Sequence, residues 1–199
     1  MNTMSAEQTG VSYENARVNL ELSWRFYQMS EVINNMKTRR SIRKYKPDMI
    51  PEDVLNRIIE AGTYAATGMG KQSPIIIAVT NKEIRDKFSK MNAEIMGVDS
   101  DPFYGAPVVL IVLADKSRPT YVYDGSLVMG NLMLAAHAEG SCWIHRAKEE
   151  FESAEGKAFL KSLGIEGDYE GIGHCVLGYV DGEEPKAMPR KENYVYCVK

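Results

Sequence analysis

Two runs of this chain, Ile75-Ile76-Ile77-Ala78-Val79 and Val108-Val109-Leu110-Ile111-Val112-Leu113, contain no polar residue at all. A strand with one wet face alternates apolar and polar residues, whereas an unbroken branched run suits a strand covered on both faces. Other elements must then cover each side of whatever sheet these runs enter, helices if the neighbouring segments are helical. Pro74 and Asn81 bound the first run, and Ala106-Pro107 leads into the second.

The segments around them supply those helices. Pro51 opens one with Glu52 and Asp53 in its first turn, and Val54, Leu55, Ile58 and Ile59 recur on one face. Asn81 can cap a second, from Lys82 to about Met96. A third is expected from Tyr121 or Asp124 to Glu139, ending at Gly140. Its side chains are so uniformly apolar (Leu127, Val128, Met129, Leu132, Met133, Leu134) that burial nearly all round is expected, in the centre of the domain or at a subunit interface. A further helix spans Ser153 to Leu163 before Gly164, and His174 to Val180 reads as a third strand. After a basic, proline-bearing stretch, Tyr194 to Val198 reads as a terminal strand suited to pairing with a distant element or a partner chain. Val32 to Arg39 is short and amphipathic. Residues 1–30 form a polar N-terminal extension with helical potential across Tyr13 to Tyr27, leaving 31–199 as the main domain. Strands alternating with helices, with no internal repeat, give an α/β or α+β sandwich.

Charge is distributed unevenly. Lys37 to Lys46 carries six cations and no acid, in a chain of 199 residues with a formal net charge of −3 and a pI near 5.7. Two adjacent arginines followed by a serine, Arg39-Arg40-Ser41, make a fork for one phosphate. A solvated basic face and a nucleic-acid patch remain as alternatives, although an acidic chain offers no general field to a polyanion. Three scattered cysteines, Cys142, Cys175 and Cys197, make no disulfide framework and suit a reducing, cytoplasmic setting. No apolar run reaches the length of a membrane span, and Met1 to Gly10 shows no signal-peptide core. His137, His145 and His174 show no metal-binding spacing, so no metal is expected.

Three further features join the basic cluster. Ala65 to Pro74 is a small-residue loop before the first strand, whose exposed backbone and Gln72 can read a ligand's polar edge; it lacks the GxGxxG and P-loop patterns. Gly140 to Arg146 reads as a loop after the third helix that can aim backbone N–H groups at a flat ring. Pro189-Arg190-Lys191 is a late second basic element.

In this order, from about Glu31 to Lys199, these parts resemble the nitroreductase family of FMN-dependent oxidoreductases. The resemblance implies a central, mostly antiparallel sheet flanked by helices, in an intertwined homodimer whose C-terminal strand joins the partner's sheet. It implies FMN as cofactor, with Arg39, Arg40 and Ser41 at the phosphate and ribityl chain and Arg190, with Lys191 or Lys186, as a later phosphate contact. Arg43 would lie near the pyrimidine edge, where a cation eases two-electron reduction; an ion pair with a nearby acid is the alternative. Met69, Gly70 and Gln72 would belong to a loop beside the ring, although many relatives have asparagine at the position of Gly70 and Gln-Pro-Trp where this chain has Gln72-Ser73-Pro74. Cys142, Trp143, Ile144 and His145 would cross the other face, with a backbone N–H near His145 reaching the flavin, so that neither His145 nor Cys142 need act through its side chain. Asp124 and Asn131 match recurrent polar positions that support structure. The implied chemistry is ping-pong: NAD(P)H gives hydride to the flavin and leaves, and an electron-poor acceptor such as a nitroaromatic or quinone then takes the electrons. No side-chain nucleophile is required. A flavin-holding or sensing module without turnover, or another reaction on the same fold, is the competing expectation.

Overall fold

A computed structural model describes residues 31–198 of the chain. It divides into two compact units, Met1–Thr38 and Arg39–Lys199. The described part of the first is helical through residues 31–38 (α1), with the Thr38 hydroxyl donating to Asn34 O at 2.8 Å. The helix expected across Tyr13 to Tyr27 lies outside the described residues.

The second unit is an α+β sandwich around a four-stranded sheet in the order β1-β2-β4-β3, antiparallel at every pairing. The strands are β1 (Pro74–Val79), β2 (Val108–Asp115), β3 (Ser141–Ile144) and β4 (Tyr169–Leu177). Five helices complete it: α2 (Glu52–Thr63), α3 (Lys82–Met96), α4 (Tyr121–Ala135), α5 (Ala147–Glu152) and α6 (Ala154–Ser162). The β2 run is fully enclosed from Val108 to Ala114. Its side chains point alternately to two cores: Val109, Ile111 and Leu113 pack with Phe88 of α3, Phe151 of α5 and Leu160 of α6, while Val108, Leu110 and Val112 pack with Leu55 and Ile58 of α2 and Val128, Met129 and Leu132 of α4. The unbroken apolar run thus follows from a helix layer on each face.

Capping follows local chemistry. Asn81 accepts the Ile84 N–H at the start of α3, and Gly97 ends that helix in the left-handed region. Ser153 accepts from Gly156 at the start of α6. Asn131 on α4 donates to Ala61 O at 3.1 Å, tying α4 to the last turn of α2. One core polar pair stands out: His174 Nε2 and Glu150 Oε2 lie 2.5 Å apart with no exposure, and Phe103 and Phe151 flank the imidazole. Among the described residues, neither ring nitrogen of His174 and neither carboxyl oxygen of Glu150 has a hydrogen-bond partner.

Several expectations are corrected. The Gly140 to Arg146 segment is not a loop: Ser141–Ile144 is strand β3, paired with β4, and α5 follows at once. Its four residues are too few to display a period, which is why the sequence hid it. The α4 helix stops at Ala135 with its cap at Ala136; a turn runs on to Gly140. Nor is α4 buried all round, because Tyr123 is 72% and Leu127 50% exposed in the single chain. The β4 strand begins earlier than His174 and ends at Leu177, before Gly178. Tyr194 to Val198 forms no strand within the chain: a short 3-10 turn covers Glu192–Tyr194, and the residues after it stand exposed.

Candidate functional site

The basic segment becomes an extended ribbon beside the sheet. Ile42 and Tyr45 are buried three residues apart, which turns Arg43 and Lys44 outward between them. Backbone bonds hold the ribbon in place: Ile42 N–H donates to Ser141 O at 2.9 Å, Lys46 N–H to Tyr179 O at 2.9 Å, and Asp181 N–H to Lys44 O at 3.1 Å. Ser41 bridges to Ser141 in parallel sense, at the first residue of β3. The Tyr45 hydroxyl closes the ribbon on itself by donating to Ile42 O at 2.9 Å. Gly140 makes this join possible. Its φ is +110°, and a Cβ there would stand 2.9 Å from Val180 and 3.2 Å from Ile42.

Cations converge at this corner. Burial pushes the Cys142 thiol above its ordinary value, while Arg43, a hydrogen bond with Ser41, and Arg39 pull it down without cancelling the rise. Cys142 therefore sits as a protonated thiol among Arg39, Ser41 and Arg43, not as a nucleophile. Arg39 Nη1 is buried and, among the described residues, has no hydrogen-bond partner. A buried guanidinium nitrogen without an acceptor is costly, and an anion would satisfy it. Arg40 donates to Arg39 O at 2.8 Å. On β3, Cys142 and Ile144 face the core of α3, α5 and α6, and Trp143 faces that of α2 and α4. His145 follows as an exposed residue.

The loop before β1 is built on a different plan. Met69 (φ 55°), Gly70 (φ 65°) and Gln72 (φ 49°) are all left-handed, and two of them carry side chains. Each such residue costs roughly 1–2 kcal/mol. Met69 is 92% exposed, so no side-chain burial compensates. Hydrogen bonds hold the loop instead. Asp124, 2% exposed in the first turn of α4, accepts from Gly68 N–H at 2.9 Å, from the Ser73 hydroxyl at 2.8 Å and from the Thr120 hydroxyl at 3.2 Å. Gln72 N–H donates to the Thr67 hydroxyl at 3.1 Å. Gly68 admits no larger residue, because a Cβ would come within 2.3 Å of the Thr120 hydroxyl. Beside the loop a cavity of about 380 Å³ opens among Ile59, Gly62, Thr67, Gln72, Ile76 and Val128.

The structure does not bring these two groups together within one chain. Ser141 lies in the sheet row of Leu177 and Val108, and Pro74 in the row of Ala114, six residues further along β2. Three strand spacings also separate β3 from β1. With about 4.8 Å between strands and about 3.4 Å per residue, the two corners are on the order of 25 Å apart. Arg190 and Lys191 lie on the exposed tail and bond within it: Arg190 donates to Met188 O, at 2.6 Å from Nη2, and the Lys191 ammonium stands 5.3 Å from the Tyr194 ring centre. The roles of Thr67, Ser73 and Thr120 had no signal in the sequence beyond their small hydroxyls. Asp124 had one, an acid in the first turn of an otherwise apolar helix. Among the described residues no three His, Cys, Asp or Glu side chains gather as a metal site, and no helix is long and apolar enough to cross a membrane.

This sandwich matches a known class of fold. The Nitroreductase family model matches residues 36–102. The crystal structure of a nitroreductase with bound FMN from Bacteroides fragilis superposes with a TM-score of 0.76 at 30% identity, covering 85% of this chain and 99% of that one. The chain belongs to the nitroreductase family. A protein of Methanothermobacter thermautotrophicus, provisionally named an NADH dehydrogenase/NAD(P)H nitroreductase, is 31% identical over 119 residues, or 55% of this chain. The FMN reductase [NAD(P)H] of Bacillus subtilis is 33% identical over 90 residues, 45% of this chain. The matched stretches span 57% and 34% of those two relatives' own lengths.

Proposed function

We propose that this protein is an FMN-dependent oxidoreductase that uses NAD(P)H to reduce small electron-poor acceptors, nitroaromatics or quinones among them, by a ping-pong sequence. The observation that carries the reading is the buried, unpartnered Arg39 Nη1 gathered with Ser41 and Arg43 around Cys142. Its meaning comes from the company the chain keeps: relatives and neighbours are named for FMN, NAD(P)H and nitroreduction.

The residues fit a flavin phosphate. Arg39, Arg40 and the Ser41 hydroxyl offer charge-assisted donors, and a phosphate accepting from Arg39 relieves a nitrogen that otherwise has no partner. Arg43 keeps an exposed cation on the ribbon, at the pyrimidine edge in this reading, where it favours negative charge on the ring. Cys142, Trp143, Ile144 and His145 present strand backbone to one face, and Met69, Gly70 and Gln72 belong to the other. Arg190 and Lys191 complete the phosphate contacts once the tail is docked. Bound FMN supplies the two-electron carrier between nicotinamide and acceptor. The protein's work is to hold, orient and polarise, with no side-chain nucleophile.

A homodimer belongs to the same reading. One chain's ribbon and loop are too far apart to touch one flavin, whereas a second copy can bring its loop to the first copy's ribbon. The exposed Tyr123 and Leu127 of α4, and the apolar tail residues Tyr194, Val195, Tyr196 and Val198, are surfaces that such a partner would cover.

The test is a visible absorption spectrum of the purified protein supplied with FMN, followed by anaerobic addition of NADH or NADPH. Bleaching that reverses with a nitroaromatic or quinone is expected. Bound FMN that neither nicotinamide bleaches would favour a flavin-holding module without turnover, and failure to take up FMN would overturn the reading.

A further inference from the structure

We infer that Asp124 is a positioning residue for the flavin-facing loop: its buried carboxylate locks Gly68 and Ser73, the two ends of the left-handed stretch, and so fixes the backbone that a bound ring would meet. The inference rests on the FMN reading above.

The geometry is a closed ring of contacts. One carboxylate oxygen accepts from Gly68 N–H, and the other accepts from the Ser73 and Thr120 hydroxyls. Thr120 itself packs against Gly68 so closely that no Cβ fits between them. An acid placed merely to favour a helix N-terminus would face water, whereas Asp124 is 2% exposed and two of its three acceptor contacts go to the loop, 56 and 51 residues away in sequence.

Inside the bracket the chain does what side-chain-bearing residues avoid. Met69 and Gln72 are left-handed, and such conformations persist only where the surroundings over-determine them. Here the bracket is reinforced from within: Gly70 N–H donates to Thr67 O, Lys71 N–H to Gly68 O, and Gln72 N–H to the Thr67 hydroxyl. Outside it, Asp115 N–H donates to Ser73 O, which anchors the far end to β2. The loop therefore has one stiff end on the sheet and one on α4. Asp124 serves both ends, so releasing it removes the hold on α4 and leaves the loop tethered to the sheet alone.

Amide hydrogen exchange and FMN titration by fluorescence quenching test this on the whole chain. In Asp124→Ala, the amides of residues 68–72 should exchange about tenfold faster or more, with those of β2 and β4 unchanged. FMN affinity should fall about tenfold, the equivalent of one hydrogen bond to a charged group. Asp124→Asn should lie between, since its amide oxygen can still accept from Gly68. The decisive comparison is between Asn and Ala at position 124: a role confined to negative charge at the helix N-terminus would be lost equally in both, whereas a hydrogen-bonding clamp survives in part in Asp124→Asn. If Asp124→Ala does not fold, Ser73→Ala removes one of the three contacts and should shift exchange and affinity in the same direction by about threefold. The inference is overturned if loop exchange and FMN affinity are unchanged, if the loop and the sheet loosen together, or if Asp124→Asn loses as much as Asp124→Ala. A wild-type protein that takes up no FMN would sink the functional reading instead, and loop exchange alone would then decide whether Asp124 is the clamp.

Discussion

In the proposed reading, the two corners of the sheet solve recognition in opposite ways. At the ribbon, Arg39, Arg40, Ser41 and Arg43 offer charge and hydroxyl from side chains on a relaxed, extended backbone anchored by Ile42 and Tyr45. At the loop, Met69, Gly70 and Gln72 offer the backbone itself, in a conformation that only its hydrogen-bonded frame sustains. Side-chain recognition is local and additive, because each donor can be lost without moving its neighbours. Backbone recognition is collective, because the groups that touch a ligand are not the ones that hold the shape.

The largest effect should come from breaking what both corners share. His174→Leu leaves the buried Glu150 carboxyl with an apolar side chain where its polar neighbour stood, and the loss should be about 3 kcal/mol in denaturant unfolding. Both corners should then weaken together; a variant of wild-type stability would mean that the Glu150 carboxyl does not depend on His174. Arg39→Ala comes next and should act on one corner alone. With charge-assisted hydrogen bonds at about 1.5–3 kcal/mol each, FMN affinity should fall roughly 10- to 150-fold while the melting temperature hardly moves. Unchanged affinity would remove Arg39 from the site. The smallest effects should have opposite signs at the two corners. Gln72→Gly relieves a left-handed residue and should raise stability by up to about 1 kcal/mol. Arg43→Gly, on extended backbone that any residue adopts, should lower it by about 0.5–1 kcal/mol. Matching signs from thermal unfolding would end the contrast.

That contrast also explains what could be read in advance. Six cations without an acid stand out in one dimension, so the ribbon was visible as a candidate anion site before any fold. The strands of β1 and β2 were equally plain, since a branched run bounded by proline has few other uses. The loop was visible only as small residues. Its left-handed positions fall on Met69 and Gln72 rather than on glycine alone, and what holds them there is an aspartate some fifty residues on. Tertiary hydrogen bonds of that reach leave no local pattern. β3 was misread for a related reason: four residues with Trp143 on one side and Cys142 and Ile144 on the other become a strand only because β4 pairs with them. The sequence left α4 between the domain centre and a subunit interface, because an apolar helix reads the same whether its second face is packed within the chain or bare.

The ribbon's position has one more consequence. β3 is an outermost strand, and a bare outer strand invites another copy to add to it and grow an aggregate. Here the outer side of Ser141 is already occupied by Ser41, with Arg43 and Lys44 turned outward just beyond it. A second β3 edge approaching that rim would bring its own Arg43 against this one, so a residue proposed to meet an anionic ring also discourages edge-to-edge pairing of identical strands.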